Sequence, residues 1–235
     1  MKNAILMAAG MGTRMRPLTE KMPKPLVPVA GKPMVESVIE ALKSIKTDHI
    51  YIVTGYLGGQ FWYLKEKYEN ITILENTDYE TINNISSIYA ALDVLKKGDC
   101  YICEADLYIS DSSFLQKEPA YSGYYGKYVE GHSEDWVFEQ NHNGYITRVG
   151  KVGDDCYNMV GIAYFKEKEA KILAEKIESV YGRPGYEQLF WDDVVNLYLQ
   201  ELMLMVHPVE EEMIVEIDTV QELEEVEKRL ALRGV

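Results

Sequence analysis

Short apolar runs alternate with segments of helical periodicity over the first 110 residues, and this pattern constrains the fold most strongly. The apolar runs stop at a glycine or a polar turn, as buried parallel strands do. The predicted strands cover residues 3–9, 49–53, 71–74 and 100–105, and the predicted helices 33–45, 59–68 and 84–95. This alternation predicts a parallel α/β sheet with right-handed crossovers.

The pattern changes after residue 120. Short strands separated by polar turns are predicted at 121–129, 136–140, 146–149 and 159–165, and we expect them to extend the sheet in antiparallel pairs. Helices at 166–180 and 186–202 and a strand at 213–217 follow, before a helix that opens with a capping box at Thr219 to Glu222. We therefore expect one α/β domain over residues 1–235, with a Rossmann-like, mixed and mostly parallel sheet flanked by helices.

The overall charge limits the possible partners. A net charge of −14 repels nucleic acid and anionic membrane surfaces, so binding to either is not expected. The sequence contains no apolar run of the roughly 18 residues that a membrane span needs. The expected location is therefore cytoplasmic, and the oligomeric state is left open.

Two of the three cysteines, Cys100 and Cys103, form a CxxC pattern inside a predicted strand. Alternation along a strand sends them to opposite faces, whereas a redox CxxC normally opens a helix. Zinc would require a second pair of ligands. A structural role in the core is the interpretation we favour.

The stretch GMGTRMRPLTEKMPKPL, residues 10–26, departs from the acidic character of the chain. Residues 11–32 contain five basic side chains and one acidic side chain, Glu20, a local charge of 5 − 1 = +4. The basic residues are Arg14, Arg16, Lys21, Lys24 and Lys32. An anionic ligand is the expected reason.

Three kinds of glycine loop are possible here. The segment does not match a Walker A loop, which requires a second glycine five residues after the first, because Met15 stands five residues after Gly10. A dinucleotide fingerprint fails because Met15 also occupies the third glycine position, and no acidic residue closes the second strand. There remains a loop after the first strand whose glycines allow backbone N–H groups to approach phosphates and whose basic residues neutralise them. A solvated basic surface loop is the alternative.

The segment AAGMGTRMRPLTEKMPKPLVPVAGKPM, residues 8–34, resembles the signature of nucleotidyltransferases that join a nucleoside triphosphate to a phosphorylated small molecule. Sugar-phosphate nucleotidylyltransferases share this signature. The resemblance implies a mostly parallel sheet flanked by helices, in agreement with the strand and helix pattern.

The resemblance also implies roles for individual residues. Lys24 contacts phosphate at the reacting centre, and Arg14 holds the leaving pyrophosphate. Asp106 and Asp218 hold Mg²⁺, although a strand-end turn for Asp106 and a favourable helix dipole for Asp218 explain each residue without a metal. The implied nucleotide-binding residues at the loop and at the end of the fourth strand are Ala8, Ala9, Gly10, Gly12, Thr13, Arg14 and Glu104.

Further segments are similar to those of bacterial cytidylyltransferases that take phosphocholine. They are residues 83–89, 134–136, 190–193 and 216–228. This resemblance implies in-line attack of phosphocholine on CTP, giving CDP-choline and pyrophosphate. Aromatic faces recognise quaternary ammonium, so Trp136 and Trp191, with Asp192, are the predicted acceptor residues. Packing of both tryptophans in the core is the alternative.

Small polar residues are predicted to face the base. Asn84 and Ser87 could read the hydrogen-bonding groups of cytosine, although Asn84 also suits a helix N-cap. We expect the turn at Gly55 and Tyr56 to line the same pocket. The nucleotide-binding half would then cover about residues 1–110 and the acceptor-binding half about residues 111–235.

Three other functions remain open. A 2-aminoethylphosphonate or related phosphonate cytidylyltransferase would use carboxylates for a primary ammonium more than a full aromatic cage. A sugar-1-phosphate nucleotidylyltransferase is a further alternative. A binding module that has lost catalysis is less consistent with the set of Arg14, Lys24, Asp106 and Asp218.

Overall fold

A computed structural model describes residues 1–210 and 212–234. Its strands are β1 (Lys2–Ala8), β2 (Pro28–Val29), β3 (Lys32–Pro33), β4 (His49–Thr54), β5 (Ile71–Glu75), β6 (Asp99–Glu104), β7 (Leu107–Ile109), β8 (Gly123–Gln140), β9 (Ile146–Phe165), β10 (Met205–Pro208) and β11 (Ile214–Glu216). Its α-helices are α1 (Met34–Ser44), α2 (Tyr63–Lys67), α3 (Ile85–Ala90), α4 (Leu92–Leu95), α5 (Glu167–Val180), α6 (Trp191–Leu197), α7 (Leu199–Leu202) and α8 (Val220–Arg233).

Seven strands form one mixed sheet in the order β10-β8-β9-β6-β1-β4-β5. β1 lies between β6 and β4 and pairs parallel with both, and β4 pairs parallel with β5. The predicted α/β class and the parallel sheet of the first 110 residues are thus confirmed. The ends of β1 and β6 lie side by side at one edge, where the loops that follow them meet.

The prediction of four short strands between residues 121 and 165 is wrong in the number and length of the strands. The four short strands are two long ones, β8 and β9, which pair antiparallel through several register shifts. These bulges bend and twist the pair, so each strand continues across segments that look like turns in the sequence. We call the part of this hairpin from Lys127 to Asn158 the β8–β9 arm.

Two short pairings escaped the sequence pattern. β10 adds a parallel edge strand beside β8. β7 pairs antiparallel with β11, with Leu107 opposite Glu216. β11 lies within the strand predicted at residues 213–217, whereas β7 and β10 were not predicted, because strands of three or four residues carry little periodicity. The partners in both pairings lie about a hundred residues apart, so the sequence pattern did not indicate which strands pair.

The sheet has a hydrophobic core on each face. One core contains side chains of α3 to α7, and the other contains those of α1 and α2. Cys100 belongs to the first core and Cys103 to the second, as strand alternation predicts, and both are buried free thiols. Within the described residues no helix is long and apolar enough to cross a membrane.

The last helix, α8, begins at the predicted capping box. The Thr219 side chain accepts a hydrogen bond from the Glu222 amide, and the Glu222 carboxylate accepts one from the Thr219 amide. Val226 and Leu230 of this helix pack with Met15 and Ile217 in a third small core. The helix therefore holds the end of the chain against the glycine-rich loop.

Candidate active site

A cavity of about 780 Å³ opens at the strand ends, between the glycine-rich loop and the β8–β9 arm. Thirteen of the predicted site residues line it: Ala9, Gly10, Gly12, Thr13, Arg14, Lys24, Asn84, Ser87, Glu104, Asp106, Trp136, Asp192 and Asp218. Sequence positions as far apart as 9 and 218 therefore meet at one site.

The glycine-rich loop follows β1 directly. Gly12 has φ = +59°, and a Cβ there would lie 2.7 Å from the Cβ of Lys24, so a larger residue fits neither the backbone conformation nor the space. The space around Gly10 is open, so its backbone is accessible from the cavity. The Thr19 hydroxyl donates to the Gly12 carbonyl at 2.7 Å and closes the loop on itself.

Lys24 lies at the centre of the site, and its side chain is 9% exposed. Its ammonium donates to Asp106 Oδ2 and, at 2.5 Å, to Asp218 Oδ1. Burial disfavours the charged form, but the two carboxylates outweigh it and raise the pKa of Lys24 above its ordinary value. Arg14 is more exposed and donates to the same Asp218 oxygen at 2.7 Å.

The short β7–β11 ladder brings the acidic residues together. Asp106 immediately precedes β7, whereas Glu216 ends β11 and Asp218 follows two residues later. Their carboxylate oxygens lie within 4.8 Å of one another. Asp106 Oδ1 is buried and has no hydrogen-bond partner in the part of the chain that the structure describes.

Carboxyl groups outnumber cations in this cluster as the structure describes it. Glu104, Asp106, Glu216 and Asp218 face two cations, Lys24 and Arg14. Desolvation, then the carboxylates of Asp106 and Asp218, raise the pKa of Glu216 to about 8. Desolvation and neighbouring carboxylates likewise raise the pKa of Glu104. The oxygen donors, the unpartnered Oδ1 atom and the crowding of carboxyl groups fit a hard divalent cation such as Mg²⁺.

Glu216 was not among the predicted site residues. It stands two positions before Asp218, and alternation along a strand places such residues on the same side. This spacing, in Glu216-Ile217-Asp218, is the signal that could have identified it.

The arm and the loop before α6 form the opposite wall. Trp136 is half-buried and packs edge-on against Phe190, with ring centroids 5.4 Å apart. The Lys151 ammonium lies over both rings, 5.7 Å from the Trp136 centroid and 5.5 Å from the Phe190 centroid. Lys151 is opposite Trp136 in the β8–β9 register, so the same pairing positions both side chains.

Carboxylates also line this wall. Asp192 is buried and accepts a hydrogen bond from the Tyr124 hydroxyl at 2.9 Å. Burial raises its pKa to about 7, although the Tyr124 hydrogen bond acts in the opposite direction. Glu134 and Asp135 lie on the arm, and Asn158 donates to Asp135 at 3.0 Å. None of Phe190, Glu134, Asp135, Lys127 and Lys151 had been predicted individually as site residues.

Four predicted residues do not line the cavity. Ala8 is buried within β1, and Trp191 is 3% exposed and stacks on Tyr124 in the core. The alternative of core packing therefore describes Trp191, whose ring the cavity does not reach because α6 turns it towards the sheet. Gly55 packs beneath the Tyr79 ring, and the Tyr56 hydroxyl donates to the Thr19 carbonyl at 2.9 Å. The Gly55–Tyr56 turn thus supports the basic loop instead of lining the pocket.

Asn84 was predicted either to contact the base or to cap the helix that follows it, and the structure bears on both interpretations. It immediately precedes α3 but makes no side-chain hydrogen bond to cap that helix. Its side-chain oxygen instead accepts from the Trp191 amide at 3.0 Å, while the residue lines the cavity. Ser87 also lines the cavity and accepts a hydrogen bond from Asn76 at 3.2 Å.

Comparison with known proteins identifies the family of the chain. The family model of the MobA-like NTP transferase domain matches residues 4–123. The chain belongs to this family, and it is an enzyme of the nucleotidyltransferase type.

Its relatives include cytidylyltransferases. The chain is 53% identical to 2-aminoethylphosphonate cytidylyltransferase of Lancefieldella rimae, over 94% of this chain and 90% of that protein. It is 33% identical to choline-phosphate cytidylyltransferase of Streptococcus pneumoniae, over 97% of each chain. The solved structure of CTP:phosphocholine cytidylyltransferase from S. pneumoniae superposes with a TM-score of 0.89, covering 97% of this chain and 99% of that one, at 33% identity. The predicted fold and family are confirmed.

Proposed function

We propose that the protein transfers the cytidylyl group of CTP to 2-aminoethylphosphonate and releases pyrophosphate. The relative that carries this activity in its name shares 53% of its residues with the chain, against 33% for the phosphocholine enzyme. The comparisons thus favour the phosphonate acceptor over phosphocholine, which the sequence pattern had placed first.

We assign the wall formed by the β8–β9 arm and the loop before α6 to the acceptor and call it the acceptor wall; its composition supports a primary ammonium. A quaternary ammonium cannot donate an N–H hydrogen bond and depends on aromatic faces, whereas a primary ammonium can donate three. Of the two predicted tryptophans, Trp191 is packed in the core and Trp136 remains at the cavity. Glu134, Asp135 and Asp192 supply carboxylates at the same wall. This acidic lining is the structural observation that carries the choice of acceptor.

Lys151 adds a second argument. Its ammonium already lies over the faces of Trp136 and Phe190, where a trimethylammonium group would otherwise bind. A choline group would have to displace this cation or tolerate its charge. An aminoethyl group can instead donate its hydrogen bonds to the carboxylates.

The donor side supports transfer without a covalent enzyme intermediate. A phosphonate oxygen of the acceptor would attack the α-phosphorus of CTP, forming a P–O–P bond. The bond from the α-phosphorus to the bridging oxygen would break, and its electron pair would leave with pyrophosphate. An ionised phosphonate is already a nucleophile, so positioning and charge neutralisation are the contributions required of the protein.

The basic residues are placed for this neutralisation. Lys24 is held by Asp106 and Asp218 at the mouth of the glycine-rich loop, where it can offset charge on the α-phosphate. Arg14, exposed on the same loop, can reach the departing pyrophosphate. Asp106, Asp218 and Glu216 would hold Mg²⁺, which would supply further neutralisation of the triphosphate when bound.

We also propose that residues 1–110 mainly bind the nucleotide and that the rest of the chain mainly binds the acceptor, with one addition. Glu216 and Asp218 come from the second half of the sequence but line the donor side of the cavity. The two functions therefore correspond to the two walls of the cavity more closely than to the first and second halves of the sequence.

A pyrophosphate-release assay tests the proposal by combining CTP or UTP with 2-aminoethylphosphonate, phosphocholine or glucose-1-phosphate. We expect the highest kcat/KM with CTP and 2-aminoethylphosphonate. Lys151→Met should raise the relative kcat/KM for phosphocholine by about threefold, because a cation over an exposed ring contributes about 0.5–1 kcal/mol. Lys166→Met, an exposed lysine outside the cavity lining, is the matched control.

Two results would contradict the proposal. If the wild-type enzyme preferred phosphocholine, its acceptor would be a quaternary amine and not 2-aminoethylphosphonate. Turnover restricted to UTP with the sugar phosphate would exclude cytidylyl transfer altogether.

A further inference from the structure

Two loops from distant parts of the sequence are joined at the back of the cavity. One precedes α3 and contains Asn83 and Asn84, and the other precedes α6. The Asn83 amide donates to the Glu187 carbonyl at 2.9 Å, and its side chain donates to the Gln188 carbonyl at 3.3 Å. The Trp191 amide donates to Asn84 Oδ1 at 3.0 Å.

The Trp191 amide lies at the start of α6, between two residues that line the cavity. It belongs to the first residue of α6, where backbone N–H groups have no acceptor within the helix. Its neighbours, Phe190 and Asp192, both line the cavity at the acceptor wall. The hydrogen bond to Asn84 therefore fixes the backbone between two side chains of that wall.

The side-chain amide of Asn84 has two ends, and this contact determines their orientation. An N–H donor requires the oxygen, so Oδ1 faces Trp191. The NH₂ group has no protein hydrogen bond among the described residues, and Asn84 lines the cavity next to Ser87. An NH₂ group offered to a ligand suits an acceptor, such as O2 or N3 of a cytosine ring.

We propose that Asn84 is a positioning residue that joins the two substrate sites. Its oxygen holds the start of α6, and with it Phe190 and Asp192, while its NH₂ group contacts the nucleotide base. A base that contacts the NH₂ group would restrict the Asn84 side chain and thereby hold the acceptor wall. Binding of the nucleotide would therefore tighten binding of the acceptor. This inference rests on the proposed function for the identity of the base, but not for the identity of the acceptor.

Two substitutions separate the two ends of the side chain. Asn84→Asp retains an oxygen that can accept from the Trp191 amide and removes the NH₂ donor. Asn84→Ala removes both. Asn143→Ala, in the exposed turn of the hairpin, is the matched control.

The first measurement is hydrogen exchange of the Trp191 amide, followed in the free enzyme. The intrinsic exchange rate of this amide does not depend on residue 84, which is 107 positions away. We expect Asn84→Ala to accelerate exchange about fivefold, the change expected for loss of one neutral hydrogen bond. Asn84→Asp should remain within twofold of the wild-type rate.

The second measurement is steady-state kinetics with the acceptor that gives the highest kcat/KM. Asn84→Ala should raise the KM for both CTP and the acceptor by about fivefold or more. Asn84→Asp should raise the KM for CTP as alanine does but raise the KM for the acceptor less than alanine does, because the contact with the Trp191 amide remains and only the restraint by the base is lost. A general loss of folded enzyme would lower the apparent kcat and leave both KM values unchanged, so a rise in the acceptor KM that aspartate reduces identifies positioning.

Failure of the inference and failure of the proposed function are distinguishable. Unchanged exchange and an unchanged acceptor KM in Asn84→Ala would overturn the inference in an active enzyme, as would equal acceptor KM values in the alanine and aspartate variants. Absence of CTP-dependent turnover in the wild type would overturn the proposed function. The exchange rates would even then decide whether Asn84 holds α6.

Discussion

The acceptor wall and the opposite wall, which contains Lys24, Asp106 and Asp218 and which we call the donor wall, differ in how their polar side chains are held. On the donor wall, Lys24 is almost fully buried, and two carboxylates fix its ammonium. On the acceptor wall, Asp135 and Lys151 are exposed, and Lys151 contacts only ring faces in the set of interactions that the structure describes. The buried charges suit chemistry common to many acceptors, whereas the exposed side chains suit discrimination among acceptors.

Removing one charge from the donor wall should have the largest effect. We expect Asp106→Asn to lower kcat by about 1000-fold, because a preorganised charge at the reacting phosphate would be lost. The thermal midpoint should change little, since an asparagine oxygen can still accept from Lys24 and Asp218 continues to pair with that ammonium. Pyrophosphate release and thermal unfolding measure the two quantities.

Asp93→Asn, an exposed carboxylate on α4, is the control for this substitution. Unchanged dependence on Mg²⁺ in Asp106→Asn would show that this residue is not a metal ligand.

The adjoining cation should matter about tenfold less. Lys24→Ala should lower kcat by about 100-fold, because it removes one charge that neutralises the transferring phosphate. Lys117→Ala, an exposed lysine far from the cavity lining, should retain full activity. Full activity in Lys24→Ala would exclude this side chain from the chemistry and would make the two walls more alike than we propose.

Trp191 and Trp136 allow a sharper comparison, because Trp191 should contribute mainly to stability and Trp136 mainly to acceptor binding. Trp191→Leu should lower the free energy of unfolding by about 2–3 kcal/mol, since it removes a buried ring from the core. Trp136→Leu should cost less than about 1 kcal/mol of stability and raise the KM for the acceptor severalfold, with little change for CTP.

Denaturant unfolding and steady-state kinetics measure these effects in parallel. If Trp191→Leu left stability intact and changed only the acceptor KM, its assignment to the core would fail.

The smallest expected effect is a pH dependence on the acceptor wall. With its pKa raised to about 7, Asp192 is mostly neutral at pH 6 and mostly ionised at pH 8. An ammonium acceptor is bound better by the ionised form, so its KM should fall about threefold to tenfold across this interval. Asp192→Asn should flatten this change, while titration of the acceptor phosphonate and of Glu216, whose pKa is raised to about 8, would persist in both proteins.

The effect on stability has the opposite sign. The pKa of Asp192 is higher in the folded protein than the ordinary value of 3.8, so the folded state binds this proton more tightly than the unfolded state does. The contribution of Asp192 to stability is therefore lost as the pH rises from about 4 to about 7. Asp192→Asn, which can still accept from Tyr124, should be as stable as the wild type or more stable at pH 8.

The donor wall was largely predictable from sequence because its parts follow strands directly. Gly10 to Lys24 form one continuous segment after β1, and Asp106 follows β6. The partner position Asp218 was identified by resemblance, while Glu216 beside it was missed, because the β7–β11 ladder joins segments about a hundred residues apart.

The acceptor wall was less predictable for a physical reason. Trp136 and Lys151 meet only through the register of β8 against β9, and bulges shift that register several times. Each shift changes which side chains face the cavity. The same limit applies to Trp191, whose burial depends on how α6 packs against Tyr124 and Phe165.

The β8–β9 arm also has a consequence for how such enzymes diverge. Around Trp136 and Lys151 its two strands take their backbone pairing from each other, while β6 pairs with the far end of β9, at residues 162–165. Substitutions on the arm can therefore accumulate without disturbing the segment after β1 that carries Lys24 or the turn between β6 and β7 that carries Asp106. A mutant library restricted to the cavity-facing positions of this hairpin would search for new acceptors while inheriting an intact catalytic apparatus.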